Sequence, residues 1–353
     1  MQRKYILPLF LFIQILFLQL LSFFPEMVER YYSNGLYVYI SRFSRIVFGI
    51  FPFSIGDCIY FLVVFLILRW FYQQLKLGKL NWKDSVLRVL SFLSVFYFLF
   101  NLLWAMNYHR VPLYQKMAIE RKYSNKDLLK FTKVLIAKTN QIHNQIEKND
   151  SLKVVFPYSQ ERVFEMNLTG YKSLSNQFSR FEYINPSIKK SLISLPLSYM
   201  GFGGYLNPFT NEAQVNDKGP MYNFPTTVCH EMAHQLGYAS ESEANFIGFL
   251  ASIKNDNVYF QYSGYSYALR YCLRNWRIRD EKVFEELLKT IRPGILKNFK
   301  ESELFWKQYE TFIETGFQFF YDNFLKLNQQ KDGLEGYSKF VDLMVNYYKH
   351  NSF

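Results

Sequence analysis

Three long apolar stretches dominate the first third of the chain. From Ile6 to Phe24 no charged residue appears, and the run closes at Pro25-Glu26. A second run, Cys58 to Leu68, is extended on its N-terminal side by residues 47–55 and ends at Arg69-Trp70-Phe71-Tyr72, with Asp57 interrupting it. A third runs from Val89 to Met106 and closes with Trp104 and Tyr108. A bilayer-crossing helix needs about 20 mostly apolar residues, with aromatic residues favoured at both interfaces. The pattern therefore predicts transmembrane helices at about 5–24, 53–72 and 87–106. The first is too long for a secretory signal and lacks an A-x-A site, so it reads as a retained anchor. Residues 31–50, aromatic with Arg42 and Arg45 interspersed, suit either an amphipathic helix on the membrane surface or a plain connection.

Beyond residue 110 the periodicity changes. Residues 128–146, 281–291 and 304–327 place apolar positions at helical spacing. Residues 198–224 are broken repeatedly by Gly, Pro and Asn, which predicts loops and one or two short strands. The fold class expected is mainly α: a membrane region over 1–110, then a domain with a small sheet over 111–353.

Composition and charge refine this picture. The chain holds 37 Phe and 28 Tyr, and its net charge is +12. The Lys and Arg are scattered, without a compact basic tract, so nucleic acid is not an expected partner and the lipid bilayer is. Arg3 and Lys4 precede the first span, and Arg69, Lys76, Lys79, Lys83 and Arg88 crowd the loop between the second and third. By the positive-inside rule both segments face the cytoplasm, which places everything after Met106 outside it. Cys58, Cys229 and Cys272 form neither a disulfide framework nor a CxxC site.

The candidate chemistry lies in Pro225-Thr226-Thr227-Val228-Cys229-His230-Glu231-Met232-Ala233-His234-Gln235-Leu236-Gly237. Pro225 and Thr226 suit a helix start, and Gly237 suits the residue just past its end. His230 and His234, four apart, project from one helix face and can hold one Zn²⁺ at about 2.0–2.1 Å. Glu231 stands beside them as general base for a water whose pKa the metal lowers to about 7. A third protein ligand is needed, and Glu241 and Glu243 in the first turn of the next helix offer it. Glu241 is the expected ligand and Glu243 the alternate. Cys229 points away from the histidine face and reads as a packing residue.

HExxH followed by Glu-x-x-Ala-Asn resembles the gluzincin metallopeptidases. That resemblance implies Glu241 as third ligand and Asn245, in place of the more usual Asp, as the group steadying His230. Its gap from His234 to Glu241 is much shorter than in those families. The chain also resembles, over most of its length, a bacterial membrane family known as domain of unknown function 3810. The shared features are the N-terminal spans, Pro208-Phe209-Thr210-Asn211-Glu212-Ala213, the CHExAHQxG pattern at 229–237 and the ExEANF pattern at 241–246. This implies a zincin-like α+β domain in a bacterial inner-membrane protein with no known substrate, and the charge pattern above puts that domain on the extracytoplasmic side.

The expected function is a membrane-anchored zinc metallopeptidase acting on a protein or peptide substrate. A catalytically inactive zincin-like sensor or scaffold with a structural metal site is the alternative. Lesser expectations follow. Residues 209–215 could be an edge strand that binds extended peptide, or equally a surface loop. Tyr222, Tyr262, Tyr265 and Tyr267 are candidates by type for stabilising an oxyanion. Glu212 reads as structural, His109 as interfacial, and His143 and His350 as surface positions.

Overall fold

A computed structural model of the chain describes residues 3–76, 81–328 and 338–351. Lys79 therefore lies outside the described residues. Among the described residues, three helices are long and apolar enough to cross a membrane: α1 (Ile6–Leu21, which a short turn extends back to Arg3), α3 (Ile55–Lys76) and α4 (Trp82–Leu103). Between the first two lie a π-helical segment, Val28–Leu36, and helix α2, Tyr37–Gly49. Lipid-length helices need some specific contact to pack. Here Gln14 of α1 donates to the hydroxyl of Ser94 on α4 at 3.1 Å, a polar tie of the kind favoured where water cannot compete.

Two details of the second span differ from expectation. Residues 47–49 belong to α2, so the span starts at Ile55. Asp57 does not interrupt it but sits in its first turn, buried, accepting from the Leu192 amide at 2.7 Å and the Ser191 hydroxyl at 3.0 Å. The Tyr205 hydroxyl donates to the same carboxylate. A charge at a helix start costs little when donors from the neighbouring domain satisfy it.

The rest of the described chain is helical around one small sheet. Helices α5 (Asn125–Ile146), α6 (Gln160–Gln177), α7 (Phe224–Gln235), α8 (Glu241–Ile253), α9 (Val258–Arg279) and α10 (Glu281–Leu288) precede α11 (Pro293–Lys307), α12 (Phe312–Leu327) and α13 (Ser338–His350). Helix α5 begins with a capping box between Ser124 and Asp127, which satisfies two otherwise orphaned amides. Residues 304–327 form two helices rather than one, because the chain leaves α11 after Lys307 and restarts beyond an extended Thr311. His143 is not a surface residue. It is buried under α11, with Nε2 at 3.0 Å from the Leu152 carbonyl. His350 is exposed.

Helix α8 is buried along almost its whole length, with Phe246, Ile247, Phe249 and Leu250 in the core beside Val228 and Met232 of α7 and Leu269 of α9. Its approach to α7 is close enough to require Gly248, where a Cβ would stand 2.9 Å from the His230 amide nitrogen.

The sheet has the order β1-β3-β2, from Ile188–Lys190, Ala213–Val215 and Gly204–Leu206. β1 runs parallel to β3, and β2 antiparallel to it. The edge strand expected at 209–215 is corrected accordingly. β3 is paired on both sides and fully buried, so the edge nearest the α7 helix is β2.

The membrane region and the domain share contacts across the expected 110/111 boundary. Val28, Tyr32, Tyr37 and Trp104 form a core cluster with Leu206 and Ala239. Arg110 bridges Glu29 at 2.8 Å and the Gly237 carbonyl at 2.9 Å. The stretch 208–213 closes the joint: Glu212 accepts from the amides of Ile55 and Gly56 at the start of α3, and from the Thr210 hydroxyl.

Candidate metal centre

Helix α7 carries Pro225 in its first turn and ends before Gly237, whose φ of 84° lies in the left-handed region that favours glycine. On it, His230 and His234 are one turn apart, and their Nε2 atoms face each other at 3.1 Å. Glu241, the first residue of α8, brings Oε2 to 3.3 Å from His230 Nε2 and Oε1 to 3.8 Å from His234 Nε2. Two imidazoles and a carboxylate thus converge on one point. Ligand-type atoms of His230, Glu231 and His234 also lie within 4.8 Å of one another.

The orientation of His234 is fixed from behind. Its Nδ1 lies 2.7 Å from the Tyr238 carbonyl oxygen. A carbonyl only accepts, so Nδ1 carries the hydrogen and Nε2 is the atom offered to the centre. The Trp104 indole donates to the His234 carbonyl at 3.2 Å. Tyr37 and Ser41 of α2 donate to the carbonyl of Gln235 at 3.0 and 2.9 Å. The last turn of the helix is therefore held by residues of the membrane region, which sequence reasoning did not connect with the site.

Glu243 is removed from the ligand set. It is buried on the other side of α8, accepting from the Leu113 amide at 2.6 Å. Asn245 lines the same cavity, but its Oδ1 takes the Tyr267 hydroxyl at 2.6 Å, and His230 Nδ1 has no hydrogen-bond partner. No hydrogen bond joins Asn245 to His230. Cys229 is buried, its thiol directed at Asn167 Oδ1. Tyr321, from α12, donates to Glu241 Oε1 at 2.7 Å. No local signal singles out that tyrosine among 28.

The electrostatics suit a cation. Burial raises the Glu241 pKa, but hydrogen bonds and charge from both histidines outweigh it and hold the carboxyl well below its usual range. Burial lowers the His234 pKa, and the hydrogen bond and charge of Glu241 outweigh it, raising it to about 9. Glu231 behaves differently. Burial pushes its carboxyl up to about 7, against the pull of the two histidines. Its Oε2 has no hydrogen-bond partner. Its Oε1 lies where a Cβ on Gly204 would come within 2.6 Å, so β2 passes the carboxylate with room only for glycine. Two imidazole nitrogens and a carboxylate around one point, with a second carboxylate beside them, are donors that fit a tetrahedral divalent ion such as zinc.

Residues 32–345 match the family described as protein of unknown function DUF3810. The chain belongs to this family. No curated protein and no solved structure matches it significantly.

The centre opens into a cavity of ≈1220 Å³. Its walls combine Phe202, Gly204 and Leu206 around β2, Trp104 and Tyr108 after α4, and Tyr321 of α12. Helix α9 presents Tyr267, Arg270, Tyr271 and Arg274 to it, the i, i+3, i+4, i+7 spacing of one helical face. Of the four tyrosines considered as oxyanion donors, Tyr267 lines the cavity. Tyr262 is buried against Asn298, and Tyr222 bonds Ser302.

Proposed function

We propose that this protein is a membrane-anchored, zinc-dependent peptidase with His230, His234 and Glu241 as metal ligands. The observation that carries the reading is the convergence of those three side chains beside the buried, partly unpaired carboxylate of Glu231. When bound there, zinc supplies Lewis acidity, polarising a carbonyl and making water a stronger acid. The chain's own residues do the rest. Tyr238 and Tyr321 hold His234 and Glu241 in place. Glu231, with a proton affinity near neutrality, accepts the proton of the attacking water and passes it to the leaving amine nitrogen. Gly204 leaves space for that carboxylate, and β2 offers an edge along which an extended peptide can lie.

The chain is further read as a three-span protein of the bacterial inner membrane, with the catalytic domain on the extracytoplasmic side. Arg69 and Lys76 near the end of α3 and Lys83 and Arg88 near the start of α4 support this orientation. Reporters fused after Gly78 and after Arg110 should report cytoplasmic and extracytoplasmic locations respectively.

One observation favours a second reading, an inactive sensor or scaffold with a structural metal. His230 Nδ1 lacks the partner that usually steadies a catalytic ligand. The test is turnover of an unstructured protein by the full chain in lipid nanodiscs. Hydrolysis abolished by chelator and by Glu231→Gln supports the peptidase. Hydrolysis that survives Glu231→Gln contradicts the mechanism, and a metal-loaded protein with no hydrolysis favours the scaffold.

A further inference from the structure

Helix α12 covers the candidate centre with one face and leaves the other bare. Its inner face meets the cavity: Phe317 and Tyr321 pack edge-on against Phe202 at 5.5 and 4.8 Å, and the Tyr321 hydroxyl reaches Glu241. Phe324 continues that face onto Phe100 and Tyr108, with ring centroids 6.1 and 6.3 Å away. Phe100 lies in the last turn of α4, and Trp104 and Tyr108 follow directly. Aromatic residues at the end of an apolar span mark the level of the lipid headgroups.

The outer face of α12 is apolar and exposed. Phe312 is 86 % exposed, Phe319 74 %, Phe320 62 % and Leu327 82 %. Four large apolar side chains on one helix face form a patch that soluble surfaces rarely present, and such a helix suits a headgroup interface. Through Phe324 and Phe100 the helix meets α4, whose last turns expose Phe96 and Leu99. A second helix that contacts α4, α2, buries Tyr37 and Ser41 against the domain and exposes Tyr39, Phe43 and Ile46. Two amphipathic helices beside the same span, each with its apolar face outward, share one fitting partner: the bilayer surface.

We propose that α12 is seated in the membrane surface by this outer face and forms the membrane-side wall of the cavity. The substrate is then a membrane-borne polypeptide that enters between α12 and α4, past Phe100, Trp104 and Tyr108. A chain leaving the bilayer along α4 meets those aromatic residues before it meets Glu241, without first crossing bulk water. The helix position stands on the contacts above. The substrate assignment rests on the peptidase reading.

The test uses the full chain in phospholipid nanodiscs, carrying Cys58→Ser so that only the buried Cys229 and Cys272 remain. Nitroxide labels are placed singly through Phe319→Cys and Phe320→Cys, with Phe65→Cys in α3 and Leu152→Cys in a loop as references. Molecular oxygen partitions into lipid, and a water-soluble nickel chelate does not. The expected result is oxygen-dominated relaxation at 319 and 320, as at 65. Chelate-dominated relaxation, as at 152, overturns the proposal. So does protection from both reagents, which means a second protein surface covers the face.

A second arm compares one peptide sequence either lipid-anchored in the nanodisc or free in solution. The anchored form should turn over about a hundredfold faster through its local concentration. Paired Phe319→Glu and Phe320→Glu should abolish that advantage while leaving the free peptide's rate unchanged. Equal rates for both forms, or an advantage that survives the paired substitution, overturn the substrate assignment. Turnover of neither form sinks the peptidase reading with it, and the spin labels still decide where α12 lies.

Discussion

The carboxylate of Glu212 accepts a hydrogen bond from the Gly56 amide at 2.6 Å, so the loop before β3 caps the first turn of the second span. The same carboxylate takes the Ile55 amide and the Thr210 hydroxyl. A helix start buried against a domain needs its amides satisfied, and here one side chain does it. Burial raises the Glu212 pKa, and these hydrogen bonds oppose that rise. The stretch 208–213 is thus a joint between the apolar helix α3 and the domain. Glu212→Ala should cost about 2–4 kcal/mol, because buried amides lose their acceptor. A thermal unfolding midpoint unchanged from that of the parent chain would contradict the assignment.

Gly248 sets the distance between the helices that carry the histidines and Glu241. An added methyl meets the backbone of His230, which cannot rotate away as a side chain could. Gly248→Ala should destabilise the chain by about 1–3 kcal/mol and weaken zinc binding. Gly219→Ala, where a Cβ meets nothing within 4 Å, is the control and should do neither. Zinc titration against a competing chelator checks both.

Tyr321 reaches the proposed ligand set through its hydrogen bond to Glu241. Tyr321→Phe should keep the fold and weaken zinc by about tenfold, the lower end of what loss of a ligand's hydrogen-bond partner costs. An unchanged zinc affinity would show that the hydroxyl does not position the carboxylate.

Much of this was legible in the sequence. Long apolar runs have no other home than a bilayer or a core, so the three long apolar helices lie within about five residues of the stretches the pattern marks. Pro225 and Gly237 marked both ends of the α7 helix. What escaped depends on the phase of helices and on distant partners. Glu241 and Glu243 are two residues apart, about 200° around a helix, so only one can face the histidines. Nothing local says which, and the Leu113 amide, more than a hundred residues away, takes the other. Asp57 reads as a break because its partners, Ser191, Leu192 and Tyr205, are remote. His143 reads as a surface residue because the Leu152 carbonyl and α11 that bury it lie outside its own helix. Three-residue strands carry no period, which is why the sequence leaves 209–215 open between an edge strand and a surface loop.

Acid should loosen the joint on its other side. Burial raises the Glu29 pKa, but hydrogen bonds and charge from Arg110 and charge from Lys116 outweigh it, lowering it from 4.5 to about 2. A depressed carboxylate contributes stability that is full above its unfolded value and is lost as pH falls through the folded one. The thermal midpoint should therefore fall between about pH 4.5 and 2, and Glu29→Gln should flatten that part of the curve. A profile identical to the parent's would remove Glu29 from the account.

The central claim is the ligand set, and zinc content read together with X-ray absorption at the zinc edge tests it most directly. The full chain should bind one zinc with two imidazole nitrogens and a carboxylate oxygen in its shell. His230→Ala and Glu241→Gln should each lose that shell or the metal, while Glu243→Gln keeps both. Full zinc with an unaltered shell in Glu241→Gln, or its loss in Glu243→Gln alone, would contradict the account.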